Sequence, residues 1–211
     1  MEIEAKYRAL QRITAQQVEA LDFTPYRRGP RVTHDLYDTL LDTSTLTIKR
    51  HRHRLRVRRD GDQYILALKG PVTQIGDLRL REEWEVLLGD DPYSAHTWPE
   101  EIRSRVRAFI GDAPLQEIIH VHNHRRTWDL YCGEKQVAEL ALDEGTIEAG
   151  GRVEAMHEVE VELKDEGSEQ DIIAIVRILI AHLPLAPESR GKAKRGFALL
   201  KHNEGLEIVK K

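Results

Sequence analysis

Glu2, Glu4 and Lys6 are spaced by two residues, as are Glu158, Glu160 and Glu162. In a β-strand that spacing puts each set on one face. Like carboxylates on one face repel unless cations lie near them. Held close, they offer the oxygen ligands that Mg²⁺ and Mn²⁺ prefer. Arg54, Arg56 and Arg58 repeat the spacing with guanidinium groups, which suit forked contacts to phosphate oxygens. Arg79, Arg81, Glu83 and Glu85 mix both signs on a fourth segment. The opposite faces carry Ile3, Ala5 and Tyr7, then Val159, Val161 and Leu163, then Leu80, Trp84 and Val86. Any one segment reads as an ordinary strand with a wet face. Four of them suggest a closed sheet with a charged interior, suited to a polyanion and its metal ions.

These residues need elements to hold them. Thr14 caps a predicted short helix to Leu21. Val32–Asp38 reads as extended, and Thr43–Lys49 is ambiguous. Asp60-Gly61-Asp62 predicts a hairpin between Leu55–Arg59 and Gln63–Lys69. Gly70-Pro71 and Gly76-Asp77 bracket a turn before a run from Leu78 to Leu88. Pro99–Phe109 reads as a helix with Ile102, Val106, Phe109 and Ile110 on one stripe. Strands are predicted near 117–131, 136–148 and 153–164. Ser168 and Asp171 then open a helix whose stripe of Ile172, Val176, Leu179, Ile180 and Leu183 is expected to pack on the sheet. Pro184 and Pro187 end it. With no internal repeat or linker, residues 1–211 read as one α+β domain.

Composition narrows the classes. The 211 residues are 32% charged with a formal net charge of -4, so the chain as a whole does not advertise nucleic-acid binding. Locally, Lys and Arg crowd residues 49–59. No phosphate-binding Gly-x-x-x-x-Gly-Lys-Ser/Thr loop and no zinc spacing among the ten histidines is present. His120, His122 and His124 alternate along a strand and read as surface or sheet-lining groups. The apolar stretch from Ile172 to Leu183 is too short for a bilayer and is broken by Arg177, so no membrane partner is expected. A single cysteine, Cys132, and no charged-then-apolar leader favour a cytoplasmic location.

In order, the motifs resemble the CYTH superfamily, the triphosphate tunnel metalloenzymes. They are Glu2-x-Glu4-x-Lys6; Tyr37-Asp38-Thr39; Leu55-Arg56-Val57-Arg58-Arg59-Asp60-Gly61; Leu68-Lys69-Gly70-Pro71; and Arg81-x-Glu83-x-Glu85. Arg125 before Trp128, Glu139 through Leu142-Asp143-Glu144-Gly145, Glu158-x-Glu160-x-Glu162-Leu163 and Lys192-x-x-Arg195-Gly196 complete the set. Two departures are Gly191, where the family usually has Ser, and an arginine strand richer than the motif requires.

The resemblance implies an eight-stranded antiparallel closed β tunnel with a charged interior and helices packed outside. It implies a triphosphate-containing small molecule as substrate, inorganic tripolyphosphate first, hydrolysed with Mg²⁺ or Mn²⁺. Glu2, Glu4, Glu158 and Glu160 would bind metal. Arg54, Arg56, Arg58, Lys69, Arg81, Arg125, Lys192 and Arg195 would hold phosphate oxygens. Lys6, Glu83, Glu85, Glu139, Asp143 and Glu162 would serve catalysis by orienting metal, water or arginine, with Lys6 either lowering a neighbouring carboxyl's pKa or touching phosphate. The alternatives are a class IV adenylyl cyclase, a thiamine triphosphatase and a polyphosphate-binding module without turnover. A homodimer is left open.

Overall fold

A computed structural model describes residues 2–76, 78–89 and 91–204, the last four of these as backbone alone. Asp77, the second residue of the expected Gly76-Asp77 turn, lies outside the described residues. So do Met1, Asp90 and residues 205–211.

The strands are β1 (Glu2–Ala9), β2 (Arg27–Asp42), β3 (Arg54–Asp60), β4 (Gln63–Lys69), β5 (Thr73–Ile75), β6 (Leu78–Arg81), β7 (Glu83–Leu88), β8 (Gln116–Cys132), β9 (Lys135–Ala149), β10 (Arg152–Leu163) and β11 (Leu185–Pro187). The helices are α1 (Ala15–Glu19), α2 (Thr47–Arg50), α3 (Glu100–Ile110), α4 (Glu169–His182) and α5 (Lys192–Glu204). Thr14 and Ser168 cap α1 and α4 in capping boxes with Gln17 and Asp171, as their spacing predicts. Gly61 makes the β3–β4 turn at φ 58°, a left-handed conformation that costs glycine little. The segment Thr43–Lys49 resolves into a turn and the start of α2.

Antiparallel pairing joins the strands in the order β5-β6-β1-β10-β9-β8-β2-β3-β4-β7, with β11 added on β1. This corrects the expected closed ring of eight. The run from Leu78 to Leu88 is not one strand. It breaks at Glu82, whose carbonyl accepts the N–H of Gly70. β6 then pairs with β1, while β7 pairs with β4. The hydrogen-bonded sheet is therefore a curled, open path. Only Glu82 separates β6 from β7 along the chain, so the backbone ties the two flanks of the curl together.

The apolar core lies outside the curl. Ala5, Tyr7, Val159, Val161, Leu140 and Leu142 turn away from the charged face and meet Ile172, Ile175, Val176 and Leu179 of α4. Burying each such aliphatic side chain contributes about 1.5–3 kcal/mol. On the other flank, Leu55, Val57, Leu66 and Leu68 pack against Trp98, Ile102 and Val106 on and before α3. The predicted α4 stripe is shifted: Ile175 is buried, whereas Ile180 is 48% exposed. α5 was not anticipated. Its Ala193 and Phe197 join Leu40, Ile119, Val121, Ile147 and Met156 in a third cluster, so the C-terminal segment packs into the sheet.

Candidate active site

Strand parity carries the charges to the concave face, and register brings them together. In the β1–β10 ladder Lys6 faces Glu160, and in the β9–β10 ladder Glu158 faces Asp143. Arg125 of β8 faces Asp143 in turn. On the other side Asp38 of β2 faces Arg58, Arg54 faces Lys69, and Lys69 faces Glu83. β1 closes this side through Glu2 opposite Arg81 and Glu4 opposite Arg79.

A cavity of about 470 Å³ follows this face. Ten Lys or Arg and eight carboxylates line it, with Leu40, Val121, Gly191 and Ala193. Fifteen of the eighteen residues singled out from the sequence are on its wall: Glu2, Glu4, Lys6, Arg54, Arg56, Arg58, Lys69, Arg81, Glu83, Glu85, Arg125, Glu139, Glu160, Glu162 and Lys192. Asp143, Glu158 and Arg195 stand behind it. Arg195 is held by Glu158 at 2.5 Å, Glu154 at 2.8 Å and the Ala155 carbonyl. It therefore orders Glu158 and does not border the cavity. Sequence reading had not assigned Asp38, Arg79 or Lys164 to the site. The signal for Arg79 and Lys164 was strand parity with Arg81 and Glu162. Asp38 sits in the quoted Tyr37-Asp38-Thr39 motif.

The site divides into two halves. In one, Lys192 reaches Asp143 and Glu160 at 2.7 Å each and Glu158 at 3.3 Å. Lys6 bonds Glu158 at 3.2 Å and pairs with Glu160. Arg125 grips Asp143 with two bonds of 2.7 Å and also meets Glu160. Burial pushes the Asp143 carboxyl up, but Arg125 and Lys192 outweigh it and bring it to about 2. Burial acts likewise on Glu160, and Lys192, Lys6 and Arg125 hold it well below the usual carboxylate range. These acids stay ionised where an isolated buried charge would not.

Asp143, Glu158 and Glu160 each offer an oxygen within 4.8 Å of the others, and all three are buried. Among the described residues they form a group fit for a hard divalent cation: all-oxygen, anionic and already convergent. Glu158 and Glu160 were expected as metal ligands. The other two, Glu2 and Glu4, are drawn away from this group. Arg81 binds Glu2 at 2.5 and 2.8 Å, and Arg79 binds Glu4 at 2.8 Å.

The second half is built around arginine. Arg58 makes a forked contact with Asp38 at 2.6 and 2.9 Å. Arg56 lies 3.5 Å from Glu85 and 3.7 Å from Asp38, and its buried Nε has no hydrogen-bond partner. Lys69 sits 2.7 Å from Glu83. Burial lowers the Lys69 ammonium, helped by Arg56 and Arg81. Burial raises Glu83 despite Lys69, and Glu2 adds to the rise. Glu139 and Glu162 share Lys164, at 4.0 and 3.0 Å, at the margin.

A concave sheet face of paired acids and bases around convergent buried carboxylates is a distinctive arrangement. The model of the CYTH domain matches residues 1–197. The chain belongs to the CYTH family. An inorganic triphosphatase of Haemophilus influenzae (strain ATCC 51907 / DSM 11121 / KW20 / Rd) is 27% identical over 169 residues, covering 78% of this chain and 46% of that protein. The CYTH chain thus spans about half the length of the curated relative it matches. A solved structure of a putative adenylyl cyclase from Hippeastrum, described as having a dominant triphosphatase activity, aligns with TM-score 0.70 and 21% identity over 96% of both chains. A putative adenylate cyclase from Bacillus halodurans aligns with TM-score 0.59 and 18% identity, over 92% of this chain and 96% of the other. At these identities the likeness concerns the fold. No helix of the described residues is long and apolar enough to cross a membrane.

Proposed function

We propose that this chain, as one domain, binds a triphosphate along its concave face and hydrolyses a phosphoanhydride bond, with inorganic tripolyphosphate as the preferred substrate. The observation that carries this reading is the lining itself. Among the described residues it is charged almost throughout and contains no aromatic, Asn or Gln side chain. Such a wall has groups for phosphate and metal and none for a base. This favours hydrolysis of an inorganic substrate over the cyclase and thiamine triphosphatase alternatives. The relative described as an inorganic triphosphatase supports the same choice.

Asp143, Glu158 and Glu160 would hold Mg²⁺ or Mn²⁺, with Glu2 and Glu4 on the adjoining strand β1. When bound, the ion supplies charge neutralisation to the phosphoryl oxygens and a site for water. The lining has two more cations than carboxylates. A triphosphate, several-fold negative, balances that excess best when a divalent cation enters with it. Arg56, Arg58, Lys69, Arg81, Arg125 and Lys192 would take phosphate oxygens. Their present carboxylate partners hold them in place, so little rearrangement is left for the moment of reaction. Lys6 is pinned between Glu158 and Glu160 and positions both. Phosphoryl transfer needs mainly such positioning and charge stabilisation. The free Cys132 is exposed, which suits the reducing cytoplasm we assign to the protein.

Product analysis tests the reading. Phosphate release from tripolyphosphate is expected to exceed that from ATP, with no cyclic AMP formed. Cyclic AMP and pyrophosphate as the main products from ATP, resolved by chromatography, would overturn it.

A further inference from the structure

Arg54 differs from the other cations on the concave face. Each of the others has a carboxylate within 4.0 Å. Arg54 has none among the described residues, and the charges it feels are those of Arg81 and Arg79. Burial and those two guanidiniums pull it down to about 10. A part-buried guanidinium beside two others, with no counter-anion, costs both desolvation and repulsion. On the cavity wall, such a group offers a place for an incoming anion.

Arg79 points to the same place. It is 6% exposed and gives one bond to Glu4, while its buried Nε has no partner. A Cβ at residue 191 would lie 3.2 Å from its terminal nitrogen, so Gly191 leaves the guanidinium its room. Serine there would press on it. Helix α5 starts at the next residue and adds the positive end of its dipole. The extra strand arginine and Gly191 thus both bear on Arg79: Arg54 through its charge, and Gly191 through the room it leaves.

We infer that Arg54 and Arg79 form a subsite for the far end of the phosphate chain, and that it selects an unesterified terminal phosphate over one carrying a nucleoside. The inference rests on the triphosphate reading and deepens it. β1 sets the distance. Its Glu4 pairs with Arg79, and its Lys6, about 7 Å further along, touches Glu158 and Glu160. A short polyphosphate with its reacting group beside Lys6 reaches Arg79 and Arg54 with its other end. In tripolyphosphate that end is free and more highly charged. In ATP it is the esterified phosphate, which offers the two guanidiniums less charge.

The test is calorimetric binding of tripolyphosphate and of ATP in excess chelator, so that nothing turns over, to wild type, Arg54→Ala and Arg54→Lys. Arg54→Ala should weaken tripolyphosphate binding about 10- to 100-fold, the range for one charge-assisted contact. ATP binding should fall less than about threefold, the contact being one ATP barely makes. Arg54→Lys should lose less than Arg54→Ala. The melting temperature of Arg54→Ala should not drop, because no ion pair is removed. Equal losses for both ligands, no loss, or a wild type that binds neither would overturn the inference. Phosphate release is a separate readout: selective binding through Arg54 without turnover would keep the subsite and sink the hydrolase.

Discussion

Glu160→Gln should lower phosphate release from tripolyphosphate on the order of 100-fold or more, the scale seen when a group that stabilises developing charge is lost. The carboxylate meets Lys6, Arg125 and Lys192 and belongs to the convergent acidic group. Glutamine keeps the shape and removes the charge, weakening ion binding and leaving three cations under-compensated. A structural defect alone would lower the melting temperature without changing metal dependence. The metal concentration for half-maximal rate should therefore be measured beside the melt. It should rise in the variant. Near-wild-type rates with an unchanged metal requirement would mean that this strand face has no part in the chemistry. Glu4→Gln is a companion with a different basis, since Glu4 holds Arg79.

Arg125→Ala should cost roughly 10- to 100-fold in kcat/KM, while its neighbour Arg126→Ala should change it by less than about threefold. The contrast is a matter of register. Arg125 faces Asp143 and turns inward to Asp143 and Glu160. Arg126 faces Leu142 and turns outward to Glu144, at 3.3 Å. Steady-state kinetics on both variants would show it. Equal damage at the two positions would mean that the strand presents the wrong face to the substrate.

Strand faces were legible in the sequence because the period of two is local. Glu2, Glu4 and Lys6 or Arg54, Arg56 and Arg58 cannot lie on opposite faces of a regular strand. Partners were not legible, because register is a property of the folded sheet. Arg81 and Arg79 take up Glu2 and Glu4 only because β6 pairs with β1 in one alignment. The same alignment leaves Asp143 in the acidic group in their place. The break at Glu82 was hidden because alternation continues across it: Leu80, Trp84 and Val86 keep one parity and Arg81, Glu83 and Glu85 the other. α5 was hidden by two glycines. Gly196 is there for close packing, since a Cβ would come within 2.6 Å of Ile119. A glycine in a helix for that reason reads in sequence as a loop.

The most direct test of the central claim is phosphate release from tripolyphosphate by the purified chain with Mg²⁺ or Mn²⁺, then in excess chelator, then after metal is restored. The acidic group and the near-balance of charge on the lining predict turnover with metal, its loss on chelation and its return on addition. Full turnover in excess chelator with no metal retained would contradict the metal assignment, and no release under any of these conditions would contradict the triphosphatase itself.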